Sequence, residues 1–558
     1  MEPLPNRTRE DKIEWLRSQR FNPYPAKTDA AMPIEVYRRR YDTLTPGQTS
    51  PDEAVVAGRI VSMRDIKNLA FADITQEHAV LQLYLIKESL GESYDRFVQA
   101  VDRGDWVCAR GNPCRTKRGE LSLLVEGWTM MCKPTRGVPF GKIDKATGSM
   151  YSTVTDPEIL RRWPELALAT DPVAYATFKK RSRLISAIRR FYEEKGFLEA
   201  AIPVIEREYG GASARPFMTD VNALKNGESA PGGKETSLPL RISHELTLKR
   251  LCVGGVPRVY HLGPAFRNEG IDADHHPEFL LTESYAFNQD YKDVMDFFEE
   301  LVARVLEDVN GTTKTRFGAH EMDFRPPWKR TTMVDSLKEH ASIDVTRMSK
   351  LELMAAAARC NLDVLSREGI DELLPDGELV ERVLATKSLP LNRLWGNLVA
   401  YLFEQKVEPH LIQPTIVYDH PWETTPLCKR HRDPALADRF IERFEAFAGC
   451  GVDSKRGIVG SELANAYTEL NDPVDQRRRM EGQAQERTDG NEEAYPAPEE
   501  FMTSVEYGLP PLGGLGFGVD RLAMIALGHL YPPERPPRIQ DVVLFPLMRP
   551  MEKTSKGN

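Results

Sequence analysis

Between residues 54 and 126 the sequence breaks into five short apolar or alternating runs, at 54–61, 69–74, 80–85, 106–110 and 121–126. A single helical segment, 89–101, falls between the third run and the fourth. Runs this short, rich in Val, Ile and Leu, read as strands rather than helices. Five strands with one helix in that place are the layout of a small OB barrel, and few other folds accept it. Barrels of this kind stack single-stranded bases on aromatics of one open face. Phe71 and Gln82 fall on adjacent runs and Arg59 on the run before, so the three are candidates for base contacts. Strand alternation alone fits Phe71 in the barrel core equally well.

At 558 residues the chain exceeds one hydrophobic core, and two or three domains are expected. After the barrel, 136–172 reads as a linker that turns helical. An amphipathic helix follows at 178–195, with Phe178, Leu184, Ile185, Ile188, Phe191 and Tyr192 on one face and Gly196 as its stop. Pro203 places the strand 197–203 at a sheet edge or bulge. Further on, 412–417 reads as strand, and helices are expected at 292–309, across most of 335–407, at 434–447 and up to Glu486. Strands and helices alternate without a βαβ repeat, which favours an α+β domain on an antiparallel sheet flanked by helices.

The net charge of −9 excludes a uniformly basic surface, so a nucleic-acid partner has to be met by a local patch. No apolar run is long enough to span a bilayer, and the early acids of the N-terminus do not resemble a targeting signal. Seven cysteines without a CxxC pair argue against a disulfide framework or a zinc site and suit a cytoplasmic location.

The stretch 264–291 concentrates chemistry. Arg267 and Glu269 precede a turn, and His275, His276, Phe279, Glu283 and Tyr285 follow it. An Arg fork suits a phosphate or carboxylate, an aromatic face suits a purine, and buried acids suit ammonium groups. A salt-bridged hairpin fits the same residues. The glycines of 514–518 lack the spacing and the βαβ context of a dinucleotide loop; they suit either close packing or a turn that aims Arg521 at a phosphate. Glu445 and Glu462 suit Mg²⁺ if they face one pocket and are otherwise solvated acids.

Taken together, these segments resemble class II aminoacyl-tRNA synthetases. FRNEGIDADHHPEFLLTESYAF is similar to motif 2 (about 258–287), GLGFGVDRLAMIALG to motif 3 (about 512–528) and GFLEAAIPVI to motif 1 (about 178–204). RISHELTLKRLCVGGVPRVYHLG, VEPHLIQPTIV, GSELANAYTELNDPVDQ and IQDVVLFPLMRP narrow the resemblance to the class IIb lysyl-tRNA synthetases, and RTKRGELSL extends it into the barrel. The resemblance implies an N-terminal extension at 1–52, an OB anticodon-binding domain at 53–135, a linker at 136–172, a catalytic domain at 173–552 and a polar tail at 553–558. It also implies a homodimer through motif 1.

The implied activity is ATP-dependent attachment of L-lysine to tRNA(Lys) through a lysyl-adenylate. Arg267 and Arg521 are the implied catalytic cations. Arg267 is placed on the α-phosphate and the lysine carboxylate, Glu269 near adenine, His275 on the phosphate tail, and Phe279 and Arg521 on either side of the base. Glu445 and Glu462 match the Mg²⁺ positions. Gly211 and Glu245 match the α-ammonium site; Glu469 and Tyr285, supported by Glu283, match the ε-ammonium site. Asn465 matches the carboxylate position and Tyr467 the methylene chain. Arg59, Phe71 and Gln82 match the anticodon contacts. Aspartate- or asparagine-specific relatives need a different partner at the side-chain end, so Glu469 with Glu245 argues for lysine. The chain departs from the family at Ala464 and Ala466, where glycines are usual and the methyls are expected beside the lysine site. It also departs at Asp274, and in extra loops at 225–237, 451–459 and 529–537.

Overall fold

Five strands close a barrel in the first part of the chain: β1 (Ala54–Ile66), β2 (Leu69–Gln76), β3 (Ala79–Ile86), β4 (Trp106–Arg115) and β5 (Leu121–Cys132). Their order is β1-β2-β3-β5-β4, and the parallel β3–β5 pairing completes the closure. The computed structural model describes residues 8–141, 154, 156–222, 237–360, 395–453, 455–488 and 497–550. The chain divides into two units, Met1–Tyr175 and Ala176–Asn558.

Period-two alternation fills the barrel. Ala70, Ala72 and Ile74 on β2 and Leu81, Leu83 and Leu85 on β3 point inward and are buried. Phe71 therefore lies on the outer face, where its ring stacks on Tyr84 at 5.0 Å between centroids. The extension expected to be helical and then irregular contains two helices, Arg9–Ser18 and Ile34–Tyr41. Leu16, Ile34, Tyr37 and Tyr41 from these helices join the barrel core, so burial ordered a stretch that local sequence leaves open.

The second unit is built on an eight-stranded sheet. Its strands are β6 (Leu198–Glu199), β9 (Arg258–Phe266), β10 (Glu278–Phe287), β13 (Lys329–Thr332), β14 (Thr415–Pro421), β15 (Phe440–Asp453), β16 (Gly457–Thr468) and β17 (Leu512–Gly518). The order is β13-β14-β15-β16-β17-β10-β9-β6. Parallel pairing occurs only at the two edges, β13–β14 and β6–β9. Two separate ribbons complete the unit, β7 (Met218–Asp220) with β8 (Ser237–Pro239) and β11 (Lys314–Phe317) with β12 (His320–Asp323).

Helices Pro172–Glu194, Tyr291–Asn310 and Val519–Leu527 cover one face of the sheet. Leu184, Phe191, Phe298, Leu301 and Leu522 pack there against Phe444, Leu515 and Phe517 from the strands. Asp520 ties three segments of the site together: it pairs with Arg181 at 2.5 Å and accepts from the Leu280 amide at 2.7 Å.

Two expectations are corrected here. The stretch 434–447 was expected as helix, because Ile441, Phe444 and Phe447 have helical spacing; from Phe440 onward it is the central strand β15. Its charges face partners rather than water, Glu442 pairing with Arg432 and Arg443 with Glu445. Second, Ala464 and Ala466 do not face the cavity where their methyls were expected. They pair with Phe517 and Leu515 across β17 and belong to the helix-covered core. The extra loop at 451–459 is the tip of the β15–β16 hairpin. The extra loop at 225–236, the linker residues 142–153, part of the expected helical region (361–394) and the tail 553–558 lie outside the described residues.

Because their methyls face the core, Ala464→Gly and Ala466→Gly are each expected to lower unfolding free energy by about 0.5–1 kcal/mol, with ligand affinity of the opposite face unchanged. Denaturant titration beside ligand titration checks this; a loss of affinity without loss of stability would put the methyls on the pocket side.

Candidate active site

The face of the sheet not covered by those helices lines a cavity of about 550 Å³. Strand alternation decides what reaches it: Glu283 and Tyr285 from β10, Asn465 and Tyr467 from β16, and Gly514 and Gly516 from β17. Glu245, at the start of helix Glu245–Val253, and Glu469, just past β16, close one end. Arg267, Phe279, His275 and Arg521 line the other.

At the arginine end, Arg267 follows β9 and is held by its backbone amide on the Pro277 carbonyl at 2.9 Å. Its guanidinium lies 5.1 Å from the Phe279 ring centroid. Arg521 donates to the Glu462 carbonyl at 2.7 Å and lies 3.0 Å from His275 Nε2. His275 Nδ1 lies 3.0 Å from Asp272 and 3.3 Å from Asp274. With Nδ1 donating to these carboxylates, Nε2 accepts from Arg521. Asp274 also accepts from Ser461 at 3.3 Å. Burial works against the Asp274 charge, but His275 and Arg521 hold its carboxyl below the usual carboxylate range. The departure at Asp274 thus has a physical account, since it orients the histidine that meets Arg521. Glu269 lies exposed at the cavity rim.

In the middle, Glu445 and Glu462 come together from neighbouring strands, although Glu445 opposes Asn465 rather than Glu462 in register. Burial and then the Glu445 charge raise the Glu462 carboxyl. Two further acids, absent from the sequence reading, act on them: Glu404, which lines the cavity beside Glu462, and Glu408, which like Glu445 does not. Desolvation and the charges of Glu445 and Glu462 push Glu404 up to about 7 and Glu408 up to about 8. Glu445 is already paired with Arg443, and among the described residues the three-residue group whose ligand atoms converge is Asp272, Asp274 and His275, so only the mutual repulsion of Glu445 and Glu462 points to a divalent cation here.

The acidic end holds three carboxylates. Ser243 donates to Glu283 at 2.8 Å, Tyr285 reaches Glu283 at 3.4 Å, and Tyr467 donates to Glu245 at 3.1 Å. Burial and then the Glu245 charge push Glu283 up to about 7. Asn465 accepts from Arg443 at 3.0 Å, and both line the cavity. Gly211 has φ +83°, and a Cβ there would lie 2.6 Å from Ser243 Oγ. At Gly514 a Cβ would lie 1.8 Å from Glu469 Oε1, so glycine is required there because the acid packs directly on the backbone. The glycines of 514–518 thus lie on a sheet strand, not in a phosphate loop. Lys249, buried between Glu245 and Glu469, was also missed; its signal was an i+4 spacing from Glu245 in an apolar helix.

The structure does not bring Arg59, Phe71 and Gln82 together as equals. Phe71 and Gln82 share the outer barrel face with Tyr84, Gln82 being buried and accepting from Ser122 at 3.0 Å. Arg59 lies farther along β1, stacked 4.8 Å from the Trp106 ring. Exposed Arg64, opposite Phe71, is nearer to that aromatic pair.

A closed five-stranded barrel ahead of an antiparallel sheet, with an arginine end and an acidic end in one cavity, defines an aminoacyl-activating architecture. The family model described as tRNA synthetases class II (D, K and N) matches residues 156–549, and that of the OB-fold nucleic acid binding domain matches 54–131. The chain belongs to the class II tRNA synthetases of this group. It is 37% identical over 543 residues to a lysine–tRNA ligase of Moorella thermoacetica, covering 97% of each chain. It is 38% identical over 544 residues to one of a Synechococcus species, covering 97% of this chain and 98% of the relative. The lysine–tRNA ligase of Bacillus subtilis is 37% identical over 544 residues, with 97% and 96% covered.

Proposed function

We propose that this protein is a lysine–tRNA ligase, which joins L-lysine to tRNA(Lys) at the expense of ATP. The observation that carries the reading is the acidic end of the cavity, where Glu245, Glu283 and Glu469 are all buried. Buried acids in that number are tolerated only with cations beside them, and lysine brings two.

Lysine lies with its α-ammonium toward Glu245 and the Gly211 carbonyl, its methylenes along Tyr467, and its ε-ammonium toward Glu469 and Tyr285. Asn465 and Arg267 take its carboxylate. ATP lies with its base at Phe279 and near Glu269, and its phosphates toward Arg267, His275 and Arg521. A carboxylate oxygen of lysine then forms a bond to the α-phosphorus while the bond to the pyrophosphate oxygen breaks, and the electron pair leaves with pyrophosphate. Arg267 aligns the two anions and offsets their repulsion, which is the main need of an in-line displacement. A terminal ribose hydroxyl of the tRNA attacks the carbonyl of the resulting anhydride and releases AMP. Glu445 and Glu462 would hold Mg²⁺, which would neutralise phosphate charge.

Lysine-dependent ATP–pyrophosphate exchange is the direct test; exchange with another amino acid and none with lysine would overturn the reading.

The barrel is assigned to anticodon bases through Phe71, with Gln82 supporting the same face and Arg59 beyond it. Stacking is worth about 1–3 kcal/mol per base. Replacing Phe71 and Gln82 by alanine is therefore expected to weaken tRNA charging by that amount and to leave exchange nearly intact. Equal loss of both steps would show that the face is not a tRNA contact.

The segment 178–204, with β6 at the sheet edge and Leu198 exposed, is assigned to a homodimer interface. A solution molar mass of one chain would exclude it. All seven cysteines are unpaired, which supports a cytoplasmic location. Among the described residues, no helix is long and apolar enough to cross a membrane.

A further inference from the structure

One turn after Glu245 on the same helix stands a lysine that the reaction just described does not use. Lys249 is fully buried. Its Nζ lies 2.5 Å from Glu245 Oε1 and pairs with Glu469 Oε2. The rings of Tyr285, Tyr467 and Phe501 surround it at 5.7, 5.9 and 6.0 Å. Glu245, Glu469, Tyr285 and Tyr467 all line the cavity, whereas Lys249 does not. The ammonium therefore stands behind the acidic wall rather than in the substrate's place. It occupies one oxygen of each carboxylate, and Tyr467 takes the second oxygen of Glu245. Glu469 Oε1 has no hydrogen-bond partner among the described residues.

We propose that Lys249 is a positioning residue for amino-acid selection: a resident ammonium that keeps Glu245 and Glu469 together as carboxylates and turns Glu469 so that one oxygen is left for the side-chain ammonium of the substrate. The inference rests on the lysine reading above. Fully ionised, the three buried acids would bring three negative charges to one end of the cavity. The resident cation reduces them to two, and the two ammonium groups of lysine neutralise those. Without it, burial and mutual repulsion would drive a proton onto at least one acid, and a protonated acid is a poor partner for an ammonium.

The groups facing this centre agree with that account. Burial alone would lower the Lys249 ammonium, but Glu245 and Glu469 outweigh it and hold it above the usual lysine range. Burial holds the Glu469 carboxyl well above the usual carboxylate range even with Lys249 in place; Lys249 is the largest influence pulling it down, against the charges of Glu245 and Glu283. Burial also pushes Cys252 up to about 12 and raises Tyr285 and Cys428 far above their usual ranges, so these stay neutral. Glu283, at about 7, titrates near neutrality in the protein as it stands.

The test is lysine-dependent ATP–pyrophosphate exchange by the full chain, wild type beside Lys249→Met, across pH 7 to 9. In the variant, KM for lysine is expected to rise on the order of tenfold or more at pH 7, as befits a buried charge left unpaired. KM for ATP should stay within about twofold, since the arginine end is untouched. The ratio of variant to wild-type KM for lysine should fall as pH rises and the acids ionise. Lys249→Arg, which keeps the charge, should follow the wild-type pH profile whatever its absolute KM. An unchanged KM for lysine, a rise shared equally by lysine and ATP, or the same pH slope in Lys249→Arg as in Lys249→Met would each overturn the proposal. If Lys249→Met does not fold, Lys249→Gln carries the same comparison. Failure of the wild type to exchange with lysine at all would instead defeat the functional reading, so the two failures are distinguishable.

Discussion

Burying three carboxylates at one end of a cavity is the constraint to which the catalytic unit answers. An isolated buried carboxylate takes up a proton rather than remain charged, so the fold has to bring donors and cations to each one. Ser243 and Tyr285 serve Glu283, Tyr467 and Lys249 serve Glu245, and Lys249 serves Glu469. Gly514 on β17 belongs to the same solution. A side chain at Gly514 would displace the Glu469 carboxylate, so that position is left bare for the acid to lie against the backbone, while Gly513 gives the same room to Val294 and Gln289 on the other face.

The sheet separates two kinds of chemistry by alternation alone. Phe444, Leu515 and Phe517 point to the helices, while Arg443, Gly514 and Gly516 point to the cavity. The same rule turns Ala464 and Ala466 away from the cavity and into the core, where a methyl adds packing. A departure that looks functional in the linear sequence is thus a packing change. Asp274 is the opposite case: it sits in the cavity wall and holds His275, which holds Arg521.

The barrel obeys the same geometry. Small Ala70 and Ala72 flank Phe71 on β2 and turn inward, which leaves the aromatic on the outer face beside Tyr84. Its half-buried ring remains available to a base on that face.

The sequence by itself determined the strand pattern of the barrel, the α+β character of the rest and the residue types gathered in the stretch 264–291. Each of these depends on local periodicity or on residue types within a short motif. Only the tertiary structure decided that 440–453 is a central strand, because its helical spacing of apolar residues is overridden by burial on both faces and by ion pairs across the sheet. Only it placed Glu404 and Glu408 near Glu445 and Glu462, and Lys249 between Glu245 and Glu469, which is 220 positions beyond it by residue number. Charge compensation in a buried site acts through space over a few ångströms. Apart from the four-residue spacing of Glu245 and Lys249, the residues that answer each other in that way carry no mark of it in the order of the chain.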